Sequence, residues 1–148
     1  MNPSNTLRGS LGLLMVIGTA LVIGCAMQVN PISTTLSLTG GQEVPPVTTT
    51  ATGAGQINVH SDRSVSGSIS VFGMTPTAAH IHDGAMGVNG PVVITLTKAS
   101  ENTFTVPAGS MLNEAQYSSL RAGNFYVNVH SAAYPNGEIR AQIKSPPG

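Results

Sequence analysis

Two histidines separated by one residue, His80 and His82, stand in the apolar-alternating stretch Ala79-His80-Ile81-His82, and a third, His130, closes another such stretch that begins at Phe125. In an extended strand, side chains two apart share a face, so His80 and His82 point the same way with Ile81 opposite. Two imidazoles one strand repeat apart, plus a third from another strand, are the donor set that zinc or copper takes. Such ions need neutral nitrogens about 2 Å away, on a sheet that does not move. Asp83 and Glu138 could supply a fourth ligand or an outer acceptor that fixes an imidazole tautomer. The same residues support a reading without metal, in which the histidines, Asn128, Arg140 and Glu138 satisfy one another in a hydrogen-bonded cluster that anchors long loops. The remaining histidine, His60, beside Ser61-Asp62-Arg63, reads as an exposed strand end outside the set.

Other chemistries find less support. No Gly-x-Ser-x-Gly elbow and no Walker-type phosphate loop occurs, and the glycines of residues 84–90 read as a connection between strands. Catalysis by a nucleophile and base therefore has no anchor, and the expected role is binding or structural. Beyond residue 24 the chain has five cations (Arg63, Lys98, Arg121, Arg140, Lys144) and six anions (Glu43, Asp62, Asp83, Glu101, Glu114, Glu138). With no basic stripe, no Trp and only three Phe and three Tyr, the chain is not expected to bind nucleic acid.

Cys25 is the single cysteine, so no intramolecular disulfide can form. Before it lie a polar segment with one cation, Arg8, and the apolar run 11–23. Those thirteen residues would span about 20 Å as a helix, short of the roughly 30 Å hydrocarbon core, which favours a signal segment over a permanent span. Val22-Ile23-Gly24-Cys25 resembles the bacterial lipobox, although Ile23 is bulkier than is usual there. The resemblance implies cleavage after residue 24, lipid attachment at Cys25 and a membrane partner through that lipid. Ala26 in place of Asp implies an outer-membrane or cell-surface address, and without lipidation the chain would be periplasmic or secreted. The expected organisation is a signal segment 1–24, a tether 25–34, one domain 35–144 and a tail 145–148.

The elements that must position the histidines are strands. Charged residues make up 8% of the chain against about 25% in an average soluble domain, and short apolar alternations are broken by Gly, Pro and Asn about every ten residues. That pattern predicts an all-β antiparallel sandwich of about eight strands, an immunoglobulin-like or superoxide-dismutase-like Greek key. The expected strands are 35–38, 53–60, 65–71, 79–82, 92–97, 103–106, 125–130 and 138–143. Alternation places Phe125, Val127 and Val129 in the core with Tyr126, Asn128 and His130 opposite. It likewise buries Ile139, Ala141 and Ile143 and turns Glu138, Arg140 and Gln142 the other way. The Pro135-Asn136-Gly137 turn lets these two strands pair as a hairpin, with His130 and Glu138 near its loop end. One helix is predicted near 114–121, from Asn113 as N-cap, Gln116 as its capping-box partner, Leu112 and Tyr117 as a staple and Gly123 as terminator. Tyr117 and Leu120 must lean on the sheet, because eight residues do not hold a helix alone.

Five blocks in order carry a family resemblance. They are Leu38-Thr39-Gly40-Gly41-Gln42-Glu43-Val44-Pro45-Pro46, Ala79-His80-Ile81-His82-Asp83-Gly84, Gly87-Val88-Asn89-Gly90-Pro91-Val92-Val93, Phe125-Tyr126-Val127-Asn128-Val129-His130-Ser131 and Pro135-Asn136-Gly137-Glu138-Ile139-Arg140-Ala141-Gln142. Together they resemble the CHRD domain, the module repeated in the morphogen-binding protein chordin and found singly in bacterial exported proteins. The resemblance implies an extracytoplasmic binding or structural module with a protein partner. The His-x-His strand is also similar to that of copper-zinc superoxide dismutases, without the rest of that family's motif.

Overall fold

The computed structural model describes residues 31–144, so the expected signal segment 1–24, Cys25 and the expected tail 145–148 lie outside the described residues. The alternating segments form nine strands: β1 (Ile32–Thr39), β2 (Thr52–Val59), β3 (Val65–Phe72), β4 (Pro76–Asp83), β5 (Val92–Thr95), β6 (Thr97–Lys98), β7 (Thr103–Thr105), β8 (Phe125–Ser131) and β9 (Ile139–Ile143). All pairings are antiparallel, in the order β5-β4-β8-β9-β1-β2-β3-β7-β6. The expected all-β class with one short helix is thus what the chain adopts. The ninth strand arises because the segment expected at 92–97 divides at Leu96, which separates β5 from β6. These two strands end the sheet on opposite sides, so a single residue of chain joins its two edges and the sheet is nearly closed. Leu96 is buried there, and its N–H donates to the Ala79 carbonyl at 2.9 Å.

Closure brings the two halves of the sheet onto one core. Ile57, Val59, Val65 and Ile69 from β2 and β3 cluster with Ile81, Phe125, Val127 and Ile143 from β4, β8 and β9. The helix α1 (Glu114–Arg121) occupies the expected residues. Asn113 Oδ1 accepts from the Gln116 N–H at 2.8 Å, and Gln116 Oε1 accepts from the Asn113 N–H at 2.9 Å, which satisfies two donors the helix itself leaves unpaired. Gly123, at φ +80°, ends it. Leu120 is buried and Tyr117 packs on the same core, and full burial of a leucine contributes about 1.5–3 kcal/mol, which an eight-residue helix needs. Ser119 Oγ donates to Asp83 Oδ1 at 2.7 Å and ties the helix to the end of β4.

The face of the sheet away from the core differs between its halves. On β2 and β3 it is open, whereas β8 is buried along almost its whole length. Three connections fold over β8 and β9: residues 40–50, 84–91 and 132–138. They are held by side chains rather than by a second sheet. Asn89 Nδ2 donates to the Val44 carbonyl at 2.7 Å, and Thr49 Oγ1 donates to Glu138 Oε1 at 2.7 Å.

Candidate metal centre

The register of β4 on β8 sets His80 opposite Asn128, His82 opposite Tyr126 and Ala78 opposite His130. Alternation then puts His80, His82, Asn128 and His130 on the covered face, where one ligand nitrogen from each of the three histidines lies within 4.8 Å of the others. His82 is buried, while His80 and His130 are half-buried at the rim.

Backbone carbonyls decide where two of the imidazole protons sit. His82 Nδ1 lies 2.9 Å from the Gly90 carbonyl and His130 Nδ1 lies 3.0 Å from the Pro135 carbonyl. A carbonyl oxygen only accepts, so each Nδ1 carries the hydrogen, and in the neutral ring Nε2 keeps a lone pair. Both Nε2 atoms face Asn128 Oδ1, at 3.0 Å from His82 and 3.1 Å from His130. His80 Nδ1 approaches His130 Nε2 to 2.9 Å. Burial holds His80 below the ordinary histidine range, and the neighbouring His130 and His82 lower it further. For His130 burial is again the largest cause, opposed by the bond to Pro135 and reinforced by His82. Neutral imidazoles are the form that ligates a metal.

The surroundings keep these rings in place. His82 stacks on Tyr126 with ring centres 4.7 Å apart and planes 4° from parallel, and the Arg140 guanidinium lies 3.4 Å from the centre of the same Tyr126 ring. Arg140, 1% exposed, donates to the carbonyls of Val88 at 3.0 Å and Ala85 at 3.3 Å and to Asn89 Oδ1 at 3.2 Å. It therefore holds the loop that delivers the Gly90 carbonyl to His82. Gly90 cannot be replaced without moving that loop, since a Cβ there would sit 1.7 Å from the Asp83 carbonyl oxygen. Near Arg140, Glu43 is buried, and its Oε1 has no hydrogen-bond partner. Desolvation raises this carboxyl to about 7, against the opposing pull of the Arg140 charge and the Val44 backbone bond.

The structure brings His80, His82 and His130 together and leaves the two carboxylates out. Asp83 bonds Ser119, and Glu138 accepts from Thr49 on one oxygen and from Ser131 Oγ on the other. The hairpin of β8 with β9 does set Val129 opposite Ile139, as the turn implies, but Glu138 serves the loops. His60 is exposed beyond β2, as expected. Arg140 and Glu138, expected in a hydrogen-bonded cluster that anchors long loops, hold residues 85–89 and Thr49 respectively. Glu43 carried no local sign of burial, because it lies in an irregular segment whose neighbours come from residues 84–91 and 131–143.

Fold and side chains together define an antiparallel all-β domain with three imidazoles clustered under loops on the outside of its sheet. A family model for the CHRD domain matches residues 34–143, and the chain belongs to that family, one of extracellular-type domains. Among curated proteins and solved structures, none matches the chain. No helix among the described residues is long and apolar enough to cross a membrane.

Proposed function

We propose that this chain is an extracytoplasmic metal-binding module, taking copper or zinc at His80, His82 and His130 and tethered to the membrane by lipid on Cys25. The observation that carries the metal reading is the commitment of two Nδ1 protons to the Gly90 and Pro135 carbonyls. That commitment aims the two Nε2 lone pairs at one locus, as outer partners do around bound metals. A second reading, a module that binds a protein, has its own support. Met86 and Val88 are exposed on the loop 84–91, and Met86 lines a groove of about 450 Å³ together with Val44, Pro46 and Arg140.

The test is elemental analysis of the purified protein after equilibration with zinc or copper and desalting, beside the His80→Ala/His82→Ala variant. Stoichiometric metal in the parent and none in the variant is expected. Metal should also raise thermal stability by mass action, about 2.7 kcal/mol at a free concentration a hundred times Kd, and a chelator should remove the gain. No metal in the parent would overturn this reading in favour of the protein-binding one. The anchor is checked separately, with lipid labelling that Cys25→Ala must abolish.

A further inference from the structure

We infer that Asn128 supplies a fourth donor, its Oδ1, which with His80 Nδ1, His130 Nε2 and His82 Nε2 makes a near-square set suited to copper(II). This rests on the metal reading above and adds a ligand and a geometry to it.

The first argument is the contact between acceptors. With Nδ1 protonated in both His82 and His130, their Nε2 lone pairs face the lone pairs of Asn128 Oδ1 at 3.0 and 3.1 Å. Two acceptors gain nothing at that separation unless a cation lies between them. As oriented, the amide turns Oδ1 to the imidazoles and Nδ2 to the side of Glu43; turning it over would offer Nδ2 to the imidazoles and set Oδ1 towards a carboxyl that is ionised above about pH 7. A Cβ built on Gly137 would lie 2.8 Å from Asn128 Nδ2 and 2.6 Å from Glu43 Oε1, so both atoms border the space beside Gly137. That oxygen is buried without a hydrogen-bond partner, and a reversed amide would turn Oδ1 towards it.

The second argument is metric. At bond lengths of about 2.05 Å, donors at right angles lie about 2.9 Å apart and tetrahedral donors about 3.3 Å apart. The successive separations from His80 to His130, from His130 to Asn128 and from Asn128 to His82 are 2.9, 3.1 and 3.0 Å. Each matches the edge expected between adjacent donors at right angles, and a square set would be completed by an edge between His82 and His80, the two histidines from one strand, whose ligand nitrogens lie within 4.8 Å of each other. Tetragonal nitrogen and oxygen donors favour copper(II), whereas zinc prefers the wider tetrahedron.

Copper(II) sulfate added to the purified protein, with electron paramagnetic resonance and competitive titration as readouts, tests this. The parent is expected to give an axial spectrum with splitting from imidazole nitrogens. Asn128→Ala should keep that nitrogen splitting, shift the parallel g and hyperfine values, and lose on the order of tenfold in copper affinity, the scale that even an outer partner commands. Asn128→Asp keeps an oxygen in place and should restore affinity to the parent level or above, which separates loss of a donor from loss of fold. An unchanged spectrum and affinity in Asn128→Ala, with copper bound, would overturn the fourth ligand alone. A parent that binds no copper would overturn the metal reading together with it.

Discussion

The outward faces of the two halves of the sheet are built on opposite terms. On β2 and β3 the outward residues, among them Thr52, Ser66 and Ser68, meet water and need no protein partner. On β8 and β9 the outward residues Tyr126, Asn128 and Arg140 are 2%, 3% and 1% exposed, and each is matched to a ring, an imidazole or a carbonyl. A polar side chain stabilises a covered face only when its partners are in place, because an unmatched buried polar group costs more than the bond it lacks. The open face should therefore tolerate substitution that the covered face does not.

The largest effect is expected at Arg140. Arg140→Ala removes the donors that hold residues 84–91 and leaves Glu43 without a neighbouring cation, and should destabilise the fold by about 3–5 kcal/mol in urea unfolding. Arg140→Lys should recover little of this, since an ammonium neither forks to several carbonyls nor lies flat on Tyr126. A loss below 1 kcal/mol would mean that the loops are held by something other than this guanidinium.

Gly137→Ala comes next. Its φ is +124° and a Cβ there would press on both Glu43 and Asn128, so a loss of about 1–3 kcal/mol in thermal unfolding is expected, together with weaker metal uptake. Gly41→Ala is the control, because nothing lies within 4 Å of its added methyl.

Glu43 sharpens the comparison through pH. Its carboxyl titrates near 7 in the fold against an ordinary 4.5, so the folded state holds this proton more tightly than the unfolded chain does. Its contribution is most favourable below pH 4.5, falls as pH rises towards 7 and is flat beyond. His80 and His130, lowered in the fold, act with the opposite sign, so the difference between parent and Glu43→Gln isolates the carboxyl. With chelator present, Glu43→Gln should gain on the parent across that window and be the more stable of the two at pH 8. Equal stability at both ends would show that this carboxyl is not desolvated.

The smallest effect belongs to the open face. Ser66→Ala and Ser68→Ala should each stay within about 0.5 kcal/mol of the parent. Larger losses there would erase the contrast between the two faces.

Much of this molecule was legible in its sequence because the signals are local. Period-two alternation marked the strands and sorted Phe125, Val127 and Val129 from Tyr126, Asn128 and His130, and Asn113, Gln116 and Gly123 bounded a helix that forms on the expected residues. The shared face of His80 and His82 follows from the same period. Division of the 92–97 segment was not legible, since only closure of the sheet requires the chain to pass between its edges at Leu96.

Local signals end where partners come from distant parts of the chain. That His130 joins His80 depends on the β4–β8 register, and that Glu138 turns to Thr49 and Asp83 to Ser119 depends on where loops and helix dock. The burial of Arg140 and Glu43 is likewise a property of three connections folding over one face. Alternation along the chain limits which side chains can share a face; docking of distant segments selects which of them meet, because hydrogen bonds between side chains depend on separations of a few ångströms that no local periodicity encodes.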